Sequence, residues 1–223
     1  MKFIKSIAEL EALYGTPRGA AISKVSNYLT PLYAKWIETS RFCVLSTVGP
    51  NGTDGSPRGD DGSVVFALNS KTLAMPDWHG NQRLDSLRNI VMDDRVSLMF
   101  MVSGSSTIVR VNGIAALTAD DQLRRKFARG NKKPSTIIVI NITEVYTQCA
   151  KAVIRAALWQ RNDTEGLPSP SEIIAEVLLN RKECSSIEQK WPQLNDESMW
   201  CFVKIGLTVI DIATAVYQKA ISL

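Results

Sequence analysis

Apolar residues recur at helical spacing through the first forty positions and at strand spacing from Phe42 onward, so the chain changes texture near residue 40. Helices are expected from Ile4 to Tyr14, stopped by Gly15-Thr16-Pro17, and from Ala20 to Thr39 with an interruption at Thr30-Pro31. The β-rich runs that follow are Phe42–Val48, Ser63–Leu68, Thr72–Met75, Val96–Val102, Thr107–Leu117 and Thr136–Tyr146, separated by clusters of Gly, Pro, Asn and Asp. Six strands at this spacing predict a barrel or a sandwich. Two helical inserts, Asn81–Val91 and Asp120–Arg129, are introduced by the capping residues Asn81 and Thr118, and neither is long enough to support a doubly wound α/β sheet.

Past Trp159 the run RNDTEGLPSPSE is rich in turn formers and reads as a linker. The expected organisation is therefore a helical cap over residues 1–40, a β domain over 41–160, and a linker with an α-rich appendage over 161–223. Ile205 to Leu223 is apolar but contains Asp211, Gln218 and Lys219, and it falls short of the roughly 20 clean residues that cross a bilayer. It is expected to pack against the domain or a partner, and no membrane association is expected. The opening MKFIKSIAELEALYG lacks the unbroken apolar run and small-residue cleavage site of a signal peptide, which makes cytoplasmic residence the expectation.

With 45% hydrophobic residues and 26 Lys plus Arg against 22 Asp plus Glu, the composition excludes disorder and collagen-like repeats. A single histidine, His79, excludes zinc sites built on two imidazoles. The four cysteines, Cys43, Cys149, Cys184 and Cys201, form no CxxC pair and read as reduced core residues; no metal site is expected. Charge is uneven along the chain: residues 101–160 carry 9 basic residues against 3 acidic, whereas residues 161–223 carry 6 against 9. An anionic partner is implied for the middle segment. With no nucleic-acid-binding module and no interleaved aromatics, a small phosphorylated ligand fits better than DNA or RNA.

Three clusters could serve such a ligand. Asn51-Gly52-Thr53-Asp54-Gly55-Ser56-Pro57-Arg58-Gly59-Asp60 is a polar, glycine-rich turn between apolar strands, able to bring backbone N–H groups and a guanidinium to an anion; the alternative is a long hairpin with a solvated Arg58. In Pro76-Asp77-Trp78-His79-Gly80-Asn81-Gln82-Arg83-Leu84-Asp85, an Asn81 cap would place Arg83 in the first helical turn, where a cation opposes the dipole unless an anion is near. Otherwise Arg83 is a surface cation paired with Asp77 or Asp85. Lys151 and Arg155 would share one helical face with like charges four residues apart, among small residues that either admit a ligand or pack a helix. Strand alternation puts Ile108, Arg110 and Asn112 on one face. No nucleophile elbow accompanies His79.

Six ordered blocks, LYGTP, RFCVLST, DGSPRGD, LAMPDWHGNQRLDSLRNI, VRVNG and QCAKAVIRAALW, span about residues 10–160. Together they resemble the pyridoxamine 5′-phosphate oxidase-like family of FMN-binding split β-barrels, in particular its FMN-dependent members of unassigned substrate. The resemblance implies a six-stranded antiparallel split barrel, mainly β with flanking helices, that forms a homodimer with FMN in each interface cleft. It implies flavin contacts from Ser56, Pro57, Arg58 and Gly59, with the Arg holding phosphate, and phosphate and ribityl contacts from Pro76, Asp77, Asn81, Gln82 and Arg83. Arg110, Lys151 and Arg155 would come from the partner subunit or close the pocket.

Two departures bear on substrate. The strand after the first Arg, Ser63-Val64-Val65-Phe66-Ala67-Leu68, is apolar where vitamin B6 oxidases carry a basic residue, which argues against vitamin B6. Gln148 and Ala156 stand where the subgroup commonly has His and Ser. The expected function is an FMN-dependent oxidoreductase acting on a small molecule, the protein supplying positioning and the flavin the redox chemistry. The competing expectations are a flavin-storing protein without turnover and an interaction protein that has lost the cofactor. FMN and a deazaflavin are not distinguished by these residues.

Overall fold

The computed structural model describes residues 1–16, 19–78 and 83–179. Ser6 opens α1 (Ile7–Tyr14) by accepting from the Glu9 N–H, so this helix starts three residues later than the apolar pattern indicates, and Gly15 ends it at φ 71°. The expected helix from Ala20 to Thr39 is two pieces, α2 (Ala20–Ser23) and α3 (Pro31–Thr39). Pro31 cannot continue a helix entering from its N-terminal side but suits a first turn, where the Thr30 hydroxyl accepts from the Tyr33 N–H.

The strands and remaining helices follow as β1 (Phe42–Gly49), β2 (Gly52–Gly59), β3 (Phe66–Asn69), β4 (Thr72–Asp77), α4 (Asp85–Met92), β5 (Arg95–Met101), β6 (Ile108–Thr118), α5 (Asp121–Lys126), β7 (Thr136–Gln148), α6 (Lys151–Ala156) and α7 (Pro170–Leu179). All strand pairs are antiparallel, in the order β2-β1-β5-β6-β7-β4-β3, and the sheet is open between its two ends. This is the mainly β architecture of a split barrel with flanking helices. It has seven strands rather than six, because Gly52–Gly59, expected as a turn, pairs along its whole length with β1.

The barrel interior is filled by alternate positions of neighbouring strands: Cys43 and Leu45 of β1, Leu98 and Phe100 of β5, Val109 and Val111 of β6, Ile138 and Ile140 of β7, Leu73 and Met75 of β4. Ile37 of α3 and Ile90 of α4 join the same core. Helix α4 is seated on β1 by a buried hydrogen bond from Asn89 Nδ2 to Thr47 Oγ1, 3.1 Å long. Gly49 makes that approach possible, since a Cβ there would stand 2.2 Å from Asn89 Oδ1.

The capping expectations are corrected at both inserts. The residue at the N-cap of α4 is Leu84, in left-handed backbone at φ 60°, so the helix begins four residues beyond Asn81 and Arg83 precedes it. At α5 the cap is Asp120, whose carboxylate accepts from the Leu123 N–H, while the Thr118 hydroxyl accepts from the Asp120 N–H. Asp120 directly precedes the first helical residue, so its carboxylate, rather than the Thr118 hydroxyl two residues earlier, reaches the free helix donors.

The chain divides into two compact units, Met1–Arg161 and Asn162–Leu223. In the second, α7 starts with a capping box in which Ser169 and Glu172 exchange backbone-to-side-chain bonds of 2.7 and 3.3 Å. The rest of the expected α-rich appendage, including Ile205–Leu223, lies outside the described residues.

Candidate functional site

Strand β2 contains no large apolar residue, and alternation turns Asp54, Ser56 and Arg58 inward while Gly55, Pro57 and Gly59 face out. Each inward residue stands opposite a buried residue of β1: Asp54 opposite Thr47, Ser56 opposite Leu45, Arg58 opposite Cys43. A polar edge strand is held there by its side chains. Asp54 Oδ2 accepts from the Ser86 hydroxyl of α4 at 2.5 Å, and Arg58 Nη1 donates to Asp77 Oδ1 of β4 at 2.5 Å.

The Arg58–Asp77 pair lies at the open side of the barrel, with side chains 22% and 12% exposed. Burial pushes the Cys43 thiol beneath it up to about 12, the Arg58 charge only partly opposing that rise. Thr136 is the cross-strand neighbour of Asp77 and shares its face. Two buried polar atoms here, Arg58 Nε and Thr136 Oγ1, have no hydrogen-bond partner among the described residues. A buried donor left without an acceptor costs about 1–3 kcal/mol, so this mouth suits a ligand that brings an acceptor atom to it.

Beyond this pair the mouth is closed by charge. Asp60 accepts from both terminal nitrogens of Arg129 at 2.6 and 2.7 Å, and the Arg129 guanidinium lies 5.3 Å from the centroid of the Trp78 ring. Burial alone would raise the Asp60 carboxyl, but hydrogen bonds from Arg129 and Asp61 together with the Arg129 charge hold it below its ordinary value.

The structure thus brings Ser56, Arg58 and Asp77 to one side of the barrel. Asp77, itself an expected contact, engages Arg58 through Nη1, while Arg58 Nε has no partner among the described residues. Pro57 and Gly59 face away, and Pro76 is half-buried beside Asp77 on β4. Asn81 and Gln82 lie outside the described residues. Arg83 is an exposed cation whose Nε donates to Asp85 at 2.8 Å, the surface pairing that stood as the alternative.

Arg110 is half-buried on the outer face of β6, donating to Ser97 Oγ at 3.2 Å and lying 5.6 Å from the Tyr146 ring centroid. Lys151 and Arg155 are exposed on α6, whose buried residue is Val153. Cys149 is exposed rather than a core residue, in contrast to Cys43. Among the described residues no group of acidic, Cys and His side chains could hold a metal ion, and no helix is long and apolar enough to cross a membrane.

The sequence marks neither Thr136 nor Arg129 as part of this mouth, and it places Asp60 there only as the end of the glycine-rich cluster. The excess of basic residues in the middle segment was the only trace of Arg129, and nothing local to Thr136 marks it.

A sequence-family model described as Pyridoxamine 5′-phosphate oxidase matches residues 29–149 of the chain. Among curated proteins none matches. Matches among solved structures include a putative pyridoxamine 5′-phosphate oxidase from Lactobacillus delbrueckii, at 24% identity and a TM-score of 0.44, covering 54% of this chain and 95% of that one. HupZ from Group A Streptococcus matches at 17% identity and a TM-score of 0.44, covering 53% of this chain and 93% of its own. An FMN-binding protein from Syntrophomonas wolfei matches at 14% identity and a TM-score of 0.41, covering 52% of this chain and 86% of that one.

Proposed function

The chain belongs to the pyridoxamine 5′-phosphate oxidase family, and from that premise we propose that it is an FMN-dependent oxidoreductase of a small molecule, working as a homodimer. The observation that carries the reading is the buried Arg58 Nε, a charged donor with no acceptor among the described residues, at the open side of the barrel. Thr136 Oγ1 beside Asp77 offers a second buried polar atom without a partner among the described residues.

When bound, FMN supplies the electron-transfer chemistry. The chain's residues bind and orient. Arg58 donates through Nε while Asp77 fixes the plane of its guanidinium, which sets the direction of that donor. Ser56, two residues earlier on the same face, offers a hydroxyl to the same side. Arg83, Asn81 and Gln82 would add the phosphate and ribityl contacts that the resemblance implies, and a second subunit would bring Arg110, Lys151 and Arg155. The buried Cys43 thiol stays protonated beneath the site and takes no part as a nucleophile.

Turnover is tested by anaerobic mixing of the flavin-loaded protein with NADH or NADPH, followed by admission of oxygen. Rapid bleaching and recovery of the flavin band is the expected result. Bound flavin that neither donor reduces would instead make this a flavin-storing protein, and a chain that takes up no flavin after reconstitution would be an interaction protein.

A further inference from the structure

Arg129 lies in a turn closed by reciprocal backbone hydrogen bonds with Lys132, 2.8 and 3.0 Å long, around Gly130 at φ 55°. From that turn its guanidinium grips Asp60 through both terminal nitrogens and reaches Asp61 at 3.2 Å. The Asp60 side chain is only 9% exposed and that of Arg129 29%, so this is not one of the solvated pairs that contribute nothing. The guanidinium also lies 5.3 Å from the Trp78 ring centroid, within cation–π range.

These contacts sit beside the Arg58–Asp77 pair by chain connectivity. Asp60 is two residues past Arg58, and Trp78 directly follows Asp77. The exits of β2 and β4 are therefore tied twice, once through Arg58 and Asp77 and once through Asp60, Arg129 and Trp78. A planar guanidinium suits the second tie because it can hold a carboxylate with its edge and an indole with its face, which an ammonium group cannot do.

We propose that Arg129 is a positioning residue for the flavin site: locked by Asp60, it fixes the Trp78 indole, and with it the exit of β4 from which Asp77 reaches Arg58. The inference rests on the flavin reading given above.

The test uses the full chain and FMN itself. Replacing Arg129 by Ala or Asp60 by Asn is expected to weaken FMN binding about tenfold each, with the double variant no weaker than either single one. Arg129→Lys is expected not to restore it. In near-ultraviolet circular dichroism, the Trp78 contribution, defined by the difference that Trp78→Phe makes, should collapse in the Arg129→Ala background; a pair that merely stabilised the fold would leave it in place. If Arg129→Ala does not fold, Asp60→Asn, which keeps the guanidinium, carries the same two measurements. FMN binding that is unchanged in the variants but weakened by Arg58→Lys overturns this inference and leaves the flavin reading standing, as does an unchanged Trp78 band. Absence of FMN binding by the wild-type chain overturns both.

Discussion

Arg58 on β2 donates to Asp77 on β4 at 2.5 Å although four strands separate them in the order of the sheet. The contact spans the opening of the split barrel, where no ladder hydrogen bond can do so. Removing Arg58 alone leaves a carboxylate that is 12% exposed with its counter-charge gone. Arg58→Ala should therefore destabilise the fold by about 3–5 kcal/mol, while replacing both partners with apolar residues of similar volume should cost less. Urea unfolding of the two variants checks this, and a loss under about 1 kcal/mol for Arg58→Ala would mean that the pair does not hold the opening together.

Arg58→Lys separates the ligand from the fold. It keeps a positive charge for Asp77 but removes the Nε donor, which is buried and has no partner among the described residues. FMN affinity should fall by about 1.5–3 kcal/mol, the contribution of a charge-assisted hydrogen bond, with little change in the unfolding midpoint. Titration with FMN followed by flavin fluorescence measures it. Arg83→Ala, at an exposed position, is expected to lower affinity without affecting the fold.

Gly49 is fixed by sterics. An added Cβ would stand 2.2 Å from Asn89 Oδ1 and 2.9 Å from its Cγ, and Asn89 is held by its bond to Thr47. Gly49→Ala should destabilise by about 1–3 kcal/mol, as overpacking does. Combining it with Asn89→Ala should recover part of that loss, because the next atom in the way, Asn89 Cα, is 3.5 Å distant.

Cys43 and Cys149 should differ sharply in reactivity. The buried Cys43 thiol is raised from 9.0 to about 12, whereas Cys149 is exposed. At pH 8 iodoacetamide should modify Cys149 in the folded protein and spare Cys43, as peptide mass spectrometry would reveal. The folded state keeps the Cys43 proton where the unfolded chain releases it, so stability should fall as pH rises from 9.0 towards 12. Cys43→Ala should flatten that decline.

The barrel was legible wherever alternation was apolar. Phe42–Gly49, Arg95–Met101, Ile108–Thr118 and Thr136–Gln148 fall within two residues of the expected strands, because burial of one face dictates their pattern. Gly52–Gly59 was missed because its inward positions are Asp54, Ser56 and Arg58, and because Gly and Pro read as a turn. As an edge strand paired only with β1, it tolerates Pro57. The start of α4 was misplaced because Leu84 adopts left-handed backbone, which apolar spacing does not encode. At the site, the sequence singled out Arg58 and Asp77 but not their pairing, since closure of the sheet brings together residues nineteen apart. Thr136 and Arg129 arrive through the same closure.

The most direct test of the flavin assignment is the absorbance spectrum of the purified protein from 300 to 700 nm, with mass spectrometry of whatever is released on denaturation. A flavin band with one FMN released per chain is the predicted result. A colourless protein that also fails to take up added FMN would contradict the account and reduce Arg58, Asp77 and Thr136 to structural roles in closing the barrel.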